Sequence, residues 1–380
     1  MRIAINIRLW LPDRLDGIGH FTAETTRRMV LAHPEHEFFL LCDRHVDLRW
    51  PLPPNAHQIT LFPPARHPLL WALFFELAVP RALRKHGIDL FLSTDGWMSL
   101  RTKVPTLTVM HDINFEHADD YLRPSHQRYM KRFFPRFARK ASRVATVSEF
   151  SRKDIAHTYG LPPSKIDVVY DGANDAYQPL PPQEQQLTRS RYADGLPFFL
   201  FVGASNKRKN LANTLLAFDR HRDATRHRTL LLVAGAKTWT QGEVANALST
   251  MRHRQDVRLL GHVSTLELTR LMASAEALLY VSRFEGFGIP ILEAFQAETP
   301  VVTSSVTSIP EVAGDAALTA SPDDPDGIAR AMTLLSTDDA LRSTLVARGR
   351  QRSRLFSWGR TAALLWDSLL RTAKEKSSNM

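Results

Sequence analysis

The stretch VSRFEGFGIPILEAF, residues 281–295, places two glutamates, Glu285 and Glu293, on either side of a glycine-phenylalanine-glycine turn. The apolar run LLYVS ahead of it suits a buried strand, and Pro290 sits where a helix tolerates proline, at its first position. Glu285 is therefore expected in a strand-to-helix loop, and Glu293 about one turn inside the helix. A helix start offers unpaired N–H groups and the positive end of the macrodipole, and Gly286 and Gly288 let a ligand approach the main chain around Phe287. An anionic or polyhydroxylated ligand fits such a place. The alternative is a surface helix carrying two solvated carboxylates.

Other residues suit the same chemistry. In FVGASNKRKNLANTLLAF, residues 201–218, a strand is expected to end at Gly203, with Arg208 and Lys209 at the entrance of a helix that Asn210 is suited to cap. Two cations there can bind a diphosphate through charge-assisted hydrogen bonds worth about 1.5–3 kcal/mol each, or form a solvated basic loop. The loop lacks the glycine pattern and terminal GK[ST] of a P-loop. Gly17 and Gly19 in DGIGHF make a fragment of a dinucleotide fingerprint, or a compact turn. His111, after the run TLTVM, can hydrogen-bond a hydroxyl, move a proton, or cap a strand end. No HExxH and no Ser-His-Asp spacing occurs, and the pairs Asp119–Asp120 and Asp323–Asp324 read as loop charges, so no metal is demanded.

These residues need elements to position them. Runs rich in β-branched and apolar residues (RIAINIR, EFFLLC, DLFLST, PTLTVMHD, RVATVS) alternate with helical stretches, the pattern of a parallel sheet covered by helices. After IDVVYDG comes YQPLPPQEQQ, rich in proline and glutamine and without apolar periodicity. FFLFVG, TLLLVAG, DVRLLGH, ALLYVS and PVVTSS then repeat the alternation. The expectation is an α/β chain of two tandem Rossmann-like, doubly wound domains facing a cleft: 1–176, a linker at 177–194, and 195–355. Parallel sheets bind ligands beyond the carboxyl ends of their strands, which is where the candidate residues fall.

At 380 residues the chain exceeds one ordinary core, and its 44% hydrophobic and 23% charged residues are those of a globular protein. The single cysteine, Cys42, excludes an internal disulfide framework, and MRIAINIRLW reads as an opening strand without a signal-peptide layout, so a cytoplasmic location is expected. PLLWALFFELAVP, residues 68–80, is interrupted by Glu76, falls short of the ~20 residues a bilayer span needs, and reads as a core helix. The net charge of +10 points to an anionic partner, yet no aromatic-basic nucleic-acid module appears. Segment 123–143 carries part of that charge on a helical pattern with a phenylalanine stripe, either a core-facing helix or a patch for anionic lipid headgroups, and Pro135 predicts a kink or break in it.

The succession GIGHFT, TVMHD, VSEFSRKDI, VGASNKRKNLANTLLAF, EGFGIPILEAF and SIPEVAGDAAL resembles the retaining glycosyltransferase family 4, of GT-B fold, over nearly the whole chain. FSWGRTAALLWDSLL resembles the family's terminal helix, here 356–376, which crosses back to the N-terminal domain. The resemblance implies that Glu285 and the backbone of Gly286, Phe287 and Gly288 hold the donor sugar, and that Glu293 accepts hydrogen bonds from the ribose of a sugar nucleotide. It further implies that Arg208 and Lys209 neutralise the diphosphate in place of a metal, beside Gly203, while Gly17 approaches the same phosphates and His111 meets the sugar from the acceptor side. It implies front-face substitution with retention, no cofactor, and a saccharide or lipid-linked acceptor. GDP-mannose is the first donor expected and a UDP-sugar the second, because the motif forms look most like those of bacterial surface-polysaccharide mannosyltransferases. Two departures stand out, the long LWLPDRLD loop and Asp171-Gly172 where asparagine-glycine is usual. The rival class is a non-catalytic sugar-nucleotide or lipid-binding protein of the same fold.

Overall fold

The computed structural model describes residues 1–12, 15–65, 67–118, 121, 123–203, 206–226, 228–235 and 242–378, without the side chains of 68–69 and 375–378. The pair Asp119–Asp120 lies outside the described residues. The chain forms two compact units, Met1–Gly172 with Trp358–Met380, and Ala173–Ser357.

In the first unit seven strands are parallel: β1 (Arg2–Asn6), β2 (Glu37–Cys42), β3 (Ala56–Thr60), β4 (Leu90–Ser93), β5 (Thr106–Val109), β6 (Arg143–Thr146) and β7 (Ile166–Val168), in the order β3-β2-β1-β4-β5-β6-β7. The second unit has six parallel strands: β8 (Phe198–Val202), β9 (Leu230–Ala234), β10 (Val257–Gly261), β11 (Ala277–Tyr280), β12 (Val301–Ser304) and β13 (Leu318–Ala320), in the order β10-β9-β8-β11-β12-β13. Helices cover both faces of a parallel sheet, so central strands such as FFLFV and LLLVA are apolar throughout instead of alternating. Each order reverses direction once, between β1 and β4 and between β8 and β11. Those two crevices are where a doubly wound sheet accepts ligands.

Two expectations change, those for residues 177–194 and for Pro135, while residues 68–80 form the core helix expected of them. The segment 177–194, expected as a linker, carries the helix Pro182–Ala193 and belongs to the second unit. Polar contacts hold it, Arg189 Nε donating to the Ser274 carbonyl at 3.1 Å and the Tyr192 hydroxyl to Glu267 at 2.7 Å, so no apolar stripe announces it. The helix Pro124–Lys140 runs through Pro135 without breaking, because Phe134, Phe137 and Ala138 are buried in the first unit's core. Residues 68–85 form one helical run with a π-helical turn at Phe74–Ala78, and the Glu76 that interrupts its apolar stretch accepts the backbone N–H of Leu100 at 2.8 Å. Among the described residues no helix is long and apolar enough to cross a membrane.

The terminal helix Trp358–Ser378 packs on the helix Gly17–Ala32 and on β4, β5 and β6. Its anchor is Asp167, which accepts Arg143 in a bidentate pair at 2.8 Å, Ser368 Oγ at 2.6 Å and Arg371 at 2.9 Å. Burial pushes this carboxyl up, but the hydrogen bonds from Arg143 and Ser368 prevail and hold it below the usual aspartate range. A depressed pKa means the pair stabilises fully above the unfolded value of 3.8 and fades as pH falls below it. Asp167→Asn is expected to lower unfolding free energy by about 3 kcal/mol at pH 7, with the gap to wild type closing below pH 4 in urea titrations. Coincident curves at pH 7 would rule out this anchor.

Candidate active site

The second unit's crevice collects its charges from two loops. After β8 the chain reaches a short 3-10 turn, Lys207–Lys209, and after β11 the loop that holds Glu285. Neighbouring strands thus bring Arg208, Lys209 and Glu285 together from distant sequence positions. Arg208 Nη1 donates to Glu285 Oε2 at 2.5 Å and to the Phe284 carbonyl at 2.7 Å, while Lys209 Nζ donates to Glu285 Oε1 at 2.7 Å and to the Tyr280 hydroxyl at 2.8 Å. The Glu285 side chain is only 8% exposed. Burial alone would raise its pKa, yet Lys209 and Arg208 bring it down to about 2, so it is a carboxylate at every physiological pH. Two cations on one carboxylate leave a net positive charge, which suits an anion.

The loop is fixed from behind. Ser308 Oγ reaches the carbonyls of Glu285 at 2.8 Å and Phe287 at 3.0 Å, and Phe287 packs edge-on against Phe356. Gly288 caps the helix Ile289–Gln296 at φ +115°, where a Cβ would come within 3.0 Å of Ile309. Gly203 follows β8, and the Gly203 carbonyl leaves no room for a side chain on Gly235. Asn210, expected as a side-chain cap, instead donates through Nδ2 to the carbonyls of Val281 at 3.0 Å and Pro322 at 2.6 Å. With left-handed backbone at φ +60°, it ties the helix entrance to the end of β11.

Glu293 lies within the helix Ile289–Gln296, in an environment opposite to that of Glu285. Burial lifts its pKa to about 7, countered only by a hydrogen bond from Tyr177. Tyr280, at the end of β11, is 2% exposed, and burial first, then the Glu285 charge, pushes its phenol up, with Glu293 a smaller influence. Neither tyrosine was among the expected site residues. Tyr280 reads as one more apolar strand residue, and Tyr177 lies in the proline-rich stretch that shows no periodicity.

In the first unit, His111 follows β5, and its Nε2 donates to the Thr94 carbonyl at 2.9 Å while the ring meets the edge of Phe21. Burial lowers its pKa, so the imidazole is neutral with Nδ1 as an acceptor. Gly17 opens the helix Gly17–Ala32, capped by Asp16 through the Gly19 N–H at 2.8 Å. A Cβ on Gly17 would meet nothing within 4 Å, whereas one on Gly19 would sit 2.8 Å from the Leu9 carbonyl, so Gly19 shapes the turn and Gly17 presents open backbone. The crevice between β1 and β4 also holds a buried pair that the sequence did not signal, Arg8 with Asp95 at 2.6 Å. Asp323 pairs with Arg283, and Asp324 caps the helix Pro325–Thr337, as loop charges do. Among the described residues no group of three or more His, Cys, Asp or Glu is placed to hold a metal ion.

Two family models match the chain, "Glycosyltransferase Family 4" over residues 15–177 and "Glycosyl transferases group 1" over 183–352. O-antigen chain mannosyltransferase B of Escherichia coli is 30% identical over 362 residues, 90% of this chain and 93% of that protein. O-antigen chain mannosyltransferase RfbU of Salmonella typhimurium is 28% identical over 71% of this chain and 72% of its own length. Among solved structures, sucrose-phosphate synthase from Thermosynechococcus elongatus matches with a TM-score of 0.77 at 18% identity, over 99% of this chain and 100% of that chain. WaaG, a glycosyltransferase involved in lipopolysaccharide biosynthesis, matches with a TM-score of 0.75 at 16% identity, over 97% and 99%. These likenesses show the GT-B fold.

Removing the Glu285 charge strands two partly buried cations. Glu285→Gln is expected to cost about 3–5 kcal/mol of unfolding free energy at pH 7. Because the folded pKa is depressed, the difference from wild type should shrink as pH falls from 4.5 toward 2. Denaturant titrations at pH 7 and pH 3 read both halves, and a variant as stable as wild type at pH 7 would contradict the pairing.

Proposed function

We propose a reaction from one premise, that the chain belongs to glycosyltransferase family 4. The reaction is transfer of a mannosyl residue from GDP-mannose to a saccharide or lipid-linked saccharide of O-antigen type, with retention of anomeric configuration and without a metal. The observation that carries this reading is the Arg208–Lys209–Glu285 cluster at the crossover of the second sheet. The 30% identity to an O-antigen mannosyltransferase supports the choice of sugar.

The cluster explains how cleavage proceeds. Arg208 and Lys209 turn from Glu285 to the diphosphate and stabilise the charge that develops as the C1–O bond to phosphate breaks. Glu285, released from one or both cations, accepts hydrogen bonds from hydroxyls of the sugar, beside the backbone of Gly286, Phe287 and Gly288. The departing phosphate oxygen takes the proton of the acceptor hydroxyl while the acceptor oxygen bonds to C1 on the face the phosphate leaves. Gly203 leaves the approach to the phosphates open, and Glu293 receives the ribose hydroxyls. Of the first unit's residues, Gly17 is assigned to the phosphates and His111, through its acceptor nitrogen, to the sugar.

GDP at a hundredfold excess over its dissociation constant should stabilise the protein by about 2.7 kcal/mol. Stabilisation by UDP alone would replace GDP-mannose by a UDP-sugar. Arg208→Ala and Lys209→Ala should each lower donor turnover by tens-fold, as expected for about 1.5–3 kcal/mol per lost charged contact. Near-normal turnover in the double variant would defeat the assignment, and nucleotide binding without any turnover would favour a non-catalytic binder.

The acceptor side supports a peripheral position on the cytoplasmic face of a membrane. The phenylalanines Phe134 and Phe137 of the helix Pro124–Lys140 belong to the core, which leaves Arg128, Arg132, Arg136, Arg139 and Lys140 on its exposed side. Such a face attracts anionic headgroups by about 1 kcal/mol per charge without inserting. Vesicles containing anionic lipid should bind the protein and release it at high salt, and neutral vesicles should not. Equal partition onto both would remove the membrane role.

A further inference from the structure

We propose that Thr307 is a positioning residue for Glu285, its hydroxyl fixing the peptide plane between Phe284 and Glu285 so that the carboxylate stays in place when Arg208 and Lys209 turn to the diphosphate. The inference rests on the donor-site reading of that cluster.

Thr307 lies in the loop after β12 with left-handed backbone, φ +59°. Among the described residues the other non-glycine positions of positive φ are Arg49, Asp194, Asn210 and Glu298, none of them β-branched. A branched Cβ crowds the main chain in this conformation, which glycine adopts freely and asparagine tolerates. Such a residue persists where its surroundings hold it, and places of this kind cluster at ligand sites. The surroundings here are two hydrogen bonds of one hydroxyl. Its single proton goes to the Val306 carbonyl at 2.7 Å, which leaves its lone pairs to accept the Glu285 N–H at 3.2 Å.

That N–H shares a planar peptide unit with the Phe284 carbonyl. The carbonyl accepts Arg208 Nη1 at 2.7 Å, so the plane is gripped at both edges, by Thr307 from the loop after β12 and by Arg208 from the turn after β8. Ser308, the next residue, donates to the Glu285 carbonyl at 2.8 Å and to the Phe287 carbonyl at 3.0 Å. Two consecutive hydroxyl side chains thus take both main-chain polar groups of Glu285, while its carboxylate is held by the two cations. When those cations leave for a diphosphate, Arg208 also lets go of the Phe284 carbonyl, and Thr307 and Ser308 keep the loop from following. Glycine at 307 would relieve the crowding and keep the turn, yet it would leave the Glu285 N–H without the hydroxyl and the plane free to tilt.

The test has one arm without ligand and one with it. In urea titrations Thr307→Ala and Arg208→Ala should couple in a double-mutant cycle by about threefold or more in the folding equilibrium constant, because Arg208 grips less once the plane is loose. Thr307→Ser puts the oxygen back and should restore the full cost of Arg208→Ala. With GDP-mannose as donor, Thr307→Ala and Thr307→Gly should each lower kcat by about tenfold, the size of one hydrogen bond. GDP should bind both at least as tightly as wild type in calorimetry, since cations held less firmly by the loop are easier to recruit, whereas general damage to the unit would weaken binding and turnover together. Additive stabilities, a Thr307→Ser that behaves like Thr307→Ala, or wild-type kcat in Thr307→Gly would each overturn the proposal. A wild type that turns over neither GDP-mannose nor UDP-glucose would instead fell the donor reading, and the ligand-free cycle would still decide the role of Thr307.

Discussion

A carboxylate buried at the crossover of a parallel sheet sets the terms for the second unit. Glu285 cannot stay charged in its closed loop without compensation, since desolvating one carboxylate costs several kcal/mol. Arg208 and Lys209 supply it, and they are available because β8 and β11 are neighbours. Everything around the cluster follows from holding those three groups in register. Asn210 ties the cation-bearing turn to the end of β11, Ser308 grips the glutamate loop by its carbonyls, and Gly288 lets the chain turn into its helix beside Ile309. The carboxylate orders the two cations, and the cluster keeps an excess of positive charge.

The two glutamates of one motif are chemically unlike. Glu285 is drawn down to about 2 by two cations, and Glu293 is lifted to about 7 by burial with a tyrosine as partner. Divergent environments of paired carboxyl groups mark divergent roles. Tyr280 is bonded to Lys209, and burial first, then the Glu285 charge, pushes its phenol up, with Glu293 a smaller influence.

Much of this was legible in the sequence. Apolar runs alternating with helices foretold two parallel sheets, and the residues after Gly203 and after LLYVS foretold where the charges gather, because ligand chemistry falls at strand ends. The partners were not legible, for physical reasons. A tyrosine at 280 satisfies a strand's demand for bulk as well as any apolar residue does, and only the fold shows that its hydroxyl meets Lys209. Tyr177 hides in a segment whose helix, Pro182–Ala193, is fastened by polar contacts and therefore leaves no periodic trace. Asn210 has the composition of a cap, and its use as a cross-strand tie depends on a left-handed backbone that no local pattern specifies.

The basic helix Pro124–Lys140 carries the same lesson in another form. Its spacing fitted either a core helix or a lipid-facing one, and the structure buries its apolar side in the core and leaves basic residues exposed on the other. Phe134 and Phe137 commit one side to the core, and that commitment carries the helix through Pro135 despite the missing hydrogen bond. Arg132 and Arg136 lie over the half-buried Phe133 ring on the other side, which holds their charge outward at little entropic cost. The helix thus presents its charge at the surface while Phe134 and Phe137 stay in the first unit's core.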